Sequence, residues 1–188
     1  MKKRVFIIHG WDGYPEEGWF PWLKKELEQK GFEVFIPAMP NPDKPKIEEW
    51  VSFLANIVGE SDENTYFVGH SIGCQTILRF LETLNKKIGG VVFVAGWFIL
   101  SDMETEEEKI IGKPWIETPI DFSKVKITTN NFVVIFSDDD QVIPLEKNKK
   151  LFEEKLNAKI IIEHNKGHFS GSDGVTELPM VLNFILSF

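Results

Sequence analysis

The chain has 188 residues, 43% of them hydrophobic and 27% charged, which is the composition of one ordinary globular domain with length enough for a full core. A net charge of -8, with no basic cluster beyond Lys2-Lys3-Arg4, argues against nucleic acid or an anionic membrane as a partner. The single cysteine, Cys74, excludes an internal disulfide framework and fits a reducing cytoplasm; no apolar run reaches transmembrane length and no signal peptide is expected, because the N-terminus enters a strand directly.

Val5-Phe6-Ile7-Ile8 is a continuous apolar run and reads as a buried parallel strand. The loop His9-Gly10-Trp11-Asp12-Gly13 follows. Trp19 to Lys30 places Trp19, Trp22, Leu23 and Leu27 on one face of an amphipathic helix that Gly31 closes. Phe32 to Ile36 is the second strand, and Pro37 to Pro45 a proline-rich loop. Ile47 to Val58 predicts a helix with Ile47, Trp50, Val51, Leu54 and Val58 inward. Thr65 to Val68 is the third strand, with its helix running to about Lys86. Gly90 to Ala95 and Phe132 to Phe136 are the next two strands, and Leu145 to Leu156 is the helix after them. Lys159 to Ile162 is the sixth strand and Val175 to Ser187 the last helix.

Strands and helices alternate, so residues 1–188 should form one α/β domain: a three-layer sandwich of six mostly parallel strands with helices on both faces. The expected order is 2-1-3-4-5-6. Its switch point lies between the first and third strands and brings the His9 loop beside Ser71. Residues 96–131 form the one long connection, with an acidic middle between aromatic and aliphatic anchors. It reads either as a small cap over the site or as a solvated excursion, and it is too short for a large lid.

The chemistry centres on Gly69-His70-Ser71-Ile72-Gly73. A strand precedes it, and apolar residues at helical spacing follow it. That is the context a G-x-S-x-G nucleophile elbow requires. The two glycines remove side chains where strand and helix cross, and the serine hydroxyl stands exposed above the sheet. A serine hydroxyl is a weak nucleophile and needs a base, itself oriented by an acid. The α/β-hydrolase order of Ser, acid, His is met. Ser137-Asp138-Asp139-Asp140 follows the fifth strand and His164-Asn165-Lys166-Gly167-His168 the sixth.

Of the four histidines, His168 reaches furthest along its loop and is the expected base, with His164 the alternative; His9 and His70 are read as structural. Three adjacent carboxylates cannot all be buried and ionised. Asp140 is the preferred acid, Asp139 the alternative and Asp138 third. The backbone N–H groups of Ile72 and Trp11 are the expected oxyanion donors. Trp97, Phe98 and Trp115 are candidates for an apolar substrate pocket, and Cys74 is read as buried and inert. Metal-ligand spacing and nucleotide-binding glycine patterns are absent, so no metal or cofactor is expected.

These residues resemble the retinoblastoma-binding protein 9 family of small serine hydrolases, which includes the bacterial YdeN proteins. The resemblance runs along nearly the whole chain. Its marks are Gly18-Trp19-Phe20-Pro21-Trp22, Met39-Pro40-Asn41-Pro42, Glu49-Trp50, the elbow, Asp139-Asp140-Gln141-Val142-Ile143-Pro144 and Gly167-His168-Phe169. It implies a trimmed α/β hydrolase lacking the first antiparallel strands, with Ser71, Asp140 and His168 as the triad. The activity expected is hydrolysis of carboxylic esters of short or medium acyl chain, a small-molecule ester being the partner. Thioesters and small amides use the same machinery. The rival class is a protein-binding module on a hydrolase scaffold with vestigial catalysis.

Overall fold

The computed structural model describes residues 2–101, 103 and 105–188. Its elements are β1 (Arg4–Ile8), α1 (Phe20–Gln29), β2 (Glu33–Phe35), α2 (Ile47–Val58), β3 (Thr65–His70), α3 (Ile72–Leu81) and β4 (Gly90–Val94). They continue with α4 (Glu106–Glu117), α5 (Phe122–Lys126), β5 (Phe132–Ser137), α6 (Leu145–Leu156), β6 (Lys159–Glu163) and α7 (Pro179–Ser187). The strands form one sheet in the order β2-β1-β3-β4-β5-β6. Every pairing is parallel.

The central strands are continuous apolar runs because both of their faces are covered. Residues Val5 to Ile8, Thr65 to His70 and Gly90 to Val94 are all buried. Helix α1 packs on α7, while α2 packs on α3, α3 on α5 and α5 on α6. These two groups take opposite faces, as right-handed crossovers require when the order reverses at β1. Local chemistry sets the ends. Pro21 and Pro179 lie in the first turns of α1 and α7, where a missing N–H costs nothing. Gly31 at φ +88 closes α1, and Asn157 in the left-handed region closes α6.

Strand ends differ from expectation by two residues at most; larger departures are two helix ends and the long connection. Helix α3 stops at Leu81 rather than near Lys86, because Thr83 turns the chain by donating its hydroxyl to Phe80 O at 2.7 Å. Helix α7 starts at Pro179 rather than Val175, since proline cannot sit deeper in a helix. The long connection carries two helices, α4 and α5; residues 102 and 104 of it lie outside the described residues. Thr105 opens α4 with a capping box, its hydroxyl taking Glu108 N while the Glu108 carboxylate takes Thr105 N.

Candidate active site

The site lies beyond the carboxyl ends of the strands, at the switch point between β1 and β3. Strand β3 passes straight into α3 through Ser71, whose φ of 51° and ψ of -120° form a strained turn. The glycines on either side are obligatory. A Cβ on Gly73 would fall 2.3 Å from Ile8 O, and one on Gly69 2.8 Å from Cys74 N. The strain keeps Ser71 from capping its own helix, so its hydroxyl is not drawn into a local bond. Cys74, one turn on, is buried and its thiol is pushed far above the usual range by burial, leaving it inert.

Asp140 follows β5. Its Oδ1 accepts from the N–H groups of Val142 (2.8 Å) and Ile143 (3.2 Å). Its Oδ2 accepts from His168 Nδ1 at 2.9 Å, with the Asp140 side chain only 4% exposed and that of His168 21%. That bond fixes the imidazole with Nδ1 protonated and leaves Nε2 for the cavity. His168 and Ser71 line the same cavity, of about 780 Å³.

The neighbouring aspartates have other partners. Asp139 Oδ1 accepts from Ser137 Oγ (2.6 Å) and Gly167 N (2.8 Å). Asp138 pairs with His164 Nδ1 at 2.5 Å and accepts from Asn165 N at 3.0 Å. The three carboxylates therefore grip successive residues of the His168 loop, and Asp140 alone meets His168. Hydrogen bonds hold the carboxyls of Asp138 and Asp139 below the usual range, from His164 and Ser137 respectively in first place.

His164 is exposed and held above the ordinary histidine value by Asp138. His9 is buried: Nδ1 donates to Gly10 O at 2.8 Å and Nε2 accepts from Met39 N at 3.0 Å. The neutral ring fills both bonds, and burial depresses its pKa. His70 is buried beside the cavity and reaches across the fold to His168 O at 2.7 Å.

Trp11 and Ile72 both line the cavity. Among the described residues neither backbone N–H donates to a loop or cap carbonyl, and Ile72 opens a helix, where the first N–H groups have no internal partner. The Trp11 ring is tied by Nε1 to Asp43 O at 2.9 Å.

The expected aromatic pocket needs correction. Trp97 lines the cavity, held by Gln75 Nε2 on its carbonyl at 2.5 Å. Phe98 turns away, its ring 4.4 Å from Phe152 and 5.5 Å from Phe122. Asn148 fixes that turn by taking Phe98 N at 2.7 Å and Ile99 N at 3.0 Å. Trp115 is buried under α4, with Nε1 on Pro45 O at 3.0 Å and its ring 6.1 Å from Trp50. It anchors α4 and does not line the cavity. The rest of the apolar lining comes from Leu100, Met103, Ile111 and Val142, which sequence reasoning missed. Their signal was weak, because composition alone does not say which member of Ile99-Leu100, Ile110-Ile111 or Val142-Ile143 turns toward the cavity. No group of three or more His, Cys, Asp or Glu side chains is placed to hold a metal among the described residues.

The sheet order, the strained serine turn and the part-buried Asp–His pair define an α/β-hydrolase fold. Over residues 5–187 the sequence matches the serine hydrolase family model, and the chain belongs to that family. YdeN of Bacillus subtilis (strain 168) is 37% identical over 191 residues, covering 100% of this chain and 97% of that protein. Serine hydrolase RBBP9 of Rattus norvegicus is 27% identical over 157 residues, 83% of this chain and 80% of the rat protein. The crystal structure of the B. subtilis ydeN product superposes with a TM-score of 0.88 at 34% identity over 99% of this chain and 98% of that one. Est1E from Butyrivibrio proteoclasticus shares the fold, with a TM-score of 0.73 at 14% identity over 100% and 86% of the two chains.

Proposed function

We propose that this serine hydrolase is a carboxylesterase for short or medium acyl esters, working through an acyl-enzyme. Ser71 is the nucleophile, His168 the base and Asp140 the acid that orients it. The observation that carries the reading is the part-buried Asp140–His168 bond at the wall of a cavity that Ser71 also lines.

The chemistry follows from those positions. His168 Nε2 takes the Ser71 proton as Oγ bonds to the ester carbonyl carbon. The carbonyl oxygen becomes an oxyanion, for which the free N–H groups of Trp11 and Ile72 are the donors. Collapse expels the alcohol, which leaves with the proton His168 held. Water then attacks the acyl group, giving its proton to His168, and the acid departs as Ser71 recovers its hydrogen. Asp140 carries no proton in this cycle; it keeps Nδ1 protonated and balances the imidazolium. Leu100, Met103, Ile111 and Val142 suit an acyl chain, and the volume is that of a small-molecule site.

The test is a panel of p-nitrophenyl esters of rising chain length, with matched thioesters and anilides, run beside a fluorophosphonate probe. Labelling at Ser71 and fastest turnover of esters of short or medium chain are expected. Folded protein that neither labels nor turns over any ester refutes the proposal.

A further inference from the structure

His70 precedes the nucleophile in sequence, yet its bond is made 98 residues away. Nε2 donates to the main-chain carbonyl of His168 at 2.7 Å. The other nitrogen, Nδ1, is buried with no hydrogen-bond partner. An imidazole buried with one nitrogen unpaired is a costly way to fill space, and an apolar side chain would avoid that cost. The ring is held by the edges of Trp19 and Phe20, at centroid distances of 6.3 and 6.0 Å.

The segment it grips needs holding. His168 lies between two residues in the left-handed region, Gly167 at φ +55 and Phe169 at φ +58. A phenylalanine there is strained and persists only where its surroundings over-determine it. Side chains supply that constraint. Trp19 Nε1 donates to Phe169 O at 3.0 Å, and Asp173 Oδ2 accepts from His168 N at 3.0 Å. The bond from His70 is distinct in one respect: it joins the residue adjacent to Ser71 directly to the backbone of His168.

We propose that His70 is a positioning residue for the base, its Nε2–H holding the His168 carbonyl and so fixing the imidazole relative to the Ser71 hydroxyl. This rests on the reading of Ser71 and His168 as nucleophile and base. Burial pushes the His70 pKa down to about 3, with His168 beside it adding to the shift, so the ring stays a neutral donor while the enzyme works. The one hydrogen bond His70 makes is to the His168 carbonyl and none goes to Trp11 or Ile72, so its loss is expected to fall on proton transfer more than on substrate binding.

The experiment compares His70→Met, which fills the space without a donor, with His70→Gln, whose amide can donate. Each is assayed on the best p-nitrophenyl ester beside Ser71→Ala, with melting temperatures measured in parallel. A base misplaced by about an ångström costs roughly 10²-fold. His70→Met is therefore expected to lose roughly 10²-fold in kcat at nearly constant KM, with His70→Gln restoring most of it. His70→Leu takes the place of His70→Met where the latter is not recovered folded. Equal losses in the donor and non-donor variants, or a donor-free variant as fast as wild type, overturn the proposal while leaving the esterase reading intact. A Ser71→Ala protein that still turns over removes the esterase reading itself, and the His70 proposal with it.

Discussion

On one side of the cavity Ser71 stands between β3 and α3, where every residue from Thr65 to Leu81 is buried. On the other side lies α4, of whose twelve residues only Gly112 and Trp115 are buried. The first wall is fixed by backbone crossings that tolerate no added atom. The second hangs from a few side chains. Arg79 donates to Trp115 O and Thr118 O, each at 2.9 Å, and Trp115 reaches Pro45 O. Its outer contact is an exposed ion pair, Lys44 with Glu107 at 2.9 Å across the cavity rim. Exposed pairs contribute little, and elements with few buried contacts open at low cost. On the proposed reading, reactivity sits on the rigid wall and substrate fit on the adaptable one.

That division predicts where mutations bite hardest. Ser71→Ala on the rigid wall should reduce ester turnover by roughly 10⁶-fold with little change in melting temperature. Near-normal turnover in a rigorously purified mutant would end the assignment. Asp140→Asn comes next. The amide favours the wrong His168 tautomer, so kcat should fall on the order of 10⁴-fold in a folded protein. Asp139→Asn should fall only about tenfold, since an amide oxygen can still accept from Gly167 N but the grip on the loop loosens. Asp138→Asn should remain close to wild type. An inactive Asp139→Asn beside an active Asp140→Asn would reverse the order and move the acid one residue along.

The adaptable wall should respond in specificity instead. Ile111 lines the cavity from α4, half-buried. Ile111→Trp should shorten the accepted acyl chain, lowering kcat/KM for longer esters by roughly tenfold while acetate esters are unaffected. A uniform loss across chain lengths would show that α4 supports the chemistry itself, and the contrast between the walls would fail.

The contrast also explains what the sequence could reveal. The sheet order was legible because buried parallel strands are unbroken apolar runs, and α2 and α6 have their expected limits because apolar spacing and local breakers agree there. Helix α4 was not, since Gly112 and Pro114 interrupt it and Ile110 points to solvent. The one available sign was Thr105 three residues before Glu108, a capping box with no apolar run to support it. Trp97, Phe98 and Trp115 share a composition but not an orientation, and what separates them is Asn148, Arg79 and Pro45, far away in sequence. The place of Asp140 at the turn into the next helix, together with the family resemblance, ranked it ahead of Asp139. The sequence did not reveal that all three aspartates hold the same loop, because those bonds span 26 to 28 residues. The family marks now have tasks as well: Trp50 Nε1 holds Pro40 O at 2.7 Å, and Asn41 Nδ2 holds Glu49 at 3.0 Å.

A broader pH effect sits on the rigid wall. His70 is depressed to about 3 and His9 is also lowered, both chiefly by burial. Unfolded, each ring binds a proton near the ordinary value of 6.5, so below that pH the unfolded state takes up more protons than the folded one. Melting temperature should therefore fall as pH drops from about 6.5, and His70→Gln should flatten that fall. An unchanged acid slope in the variant would mean that His70 is not held neutral.

The smallest effect belongs to His164 and Asp138, an exposed pair at the outer edge of the loop that carries His168. Folding raises the His164 pKa from its ordinary 6.5, so its contribution is complete below that pH and is lost as pH rises through the raised value. Folding lowers the Asp138 pKa from its ordinary 3.8, so its contribution is complete above that pH and is lost as pH falls through the lowered value. Together they stabilise the loop most between those two ordinary values. Solvent screens a pair this open, and salt screens it further. Comparing wild type with His164→Gln should give a melting-temperature difference of a degree or two at about pH 5, shrinking at high salt and vanishing near pH 9. Ester turnover should be unchanged at every pH, since Asp140 and not Asp138 holds the base. A difference that persists unchanged at pH 9 would show that the bond to Asp138 acts without charge. A loss of turnover in His164→Gln would draw this outer pair into the chemistry and erase the distinction between the inner aspartate and its neighbours.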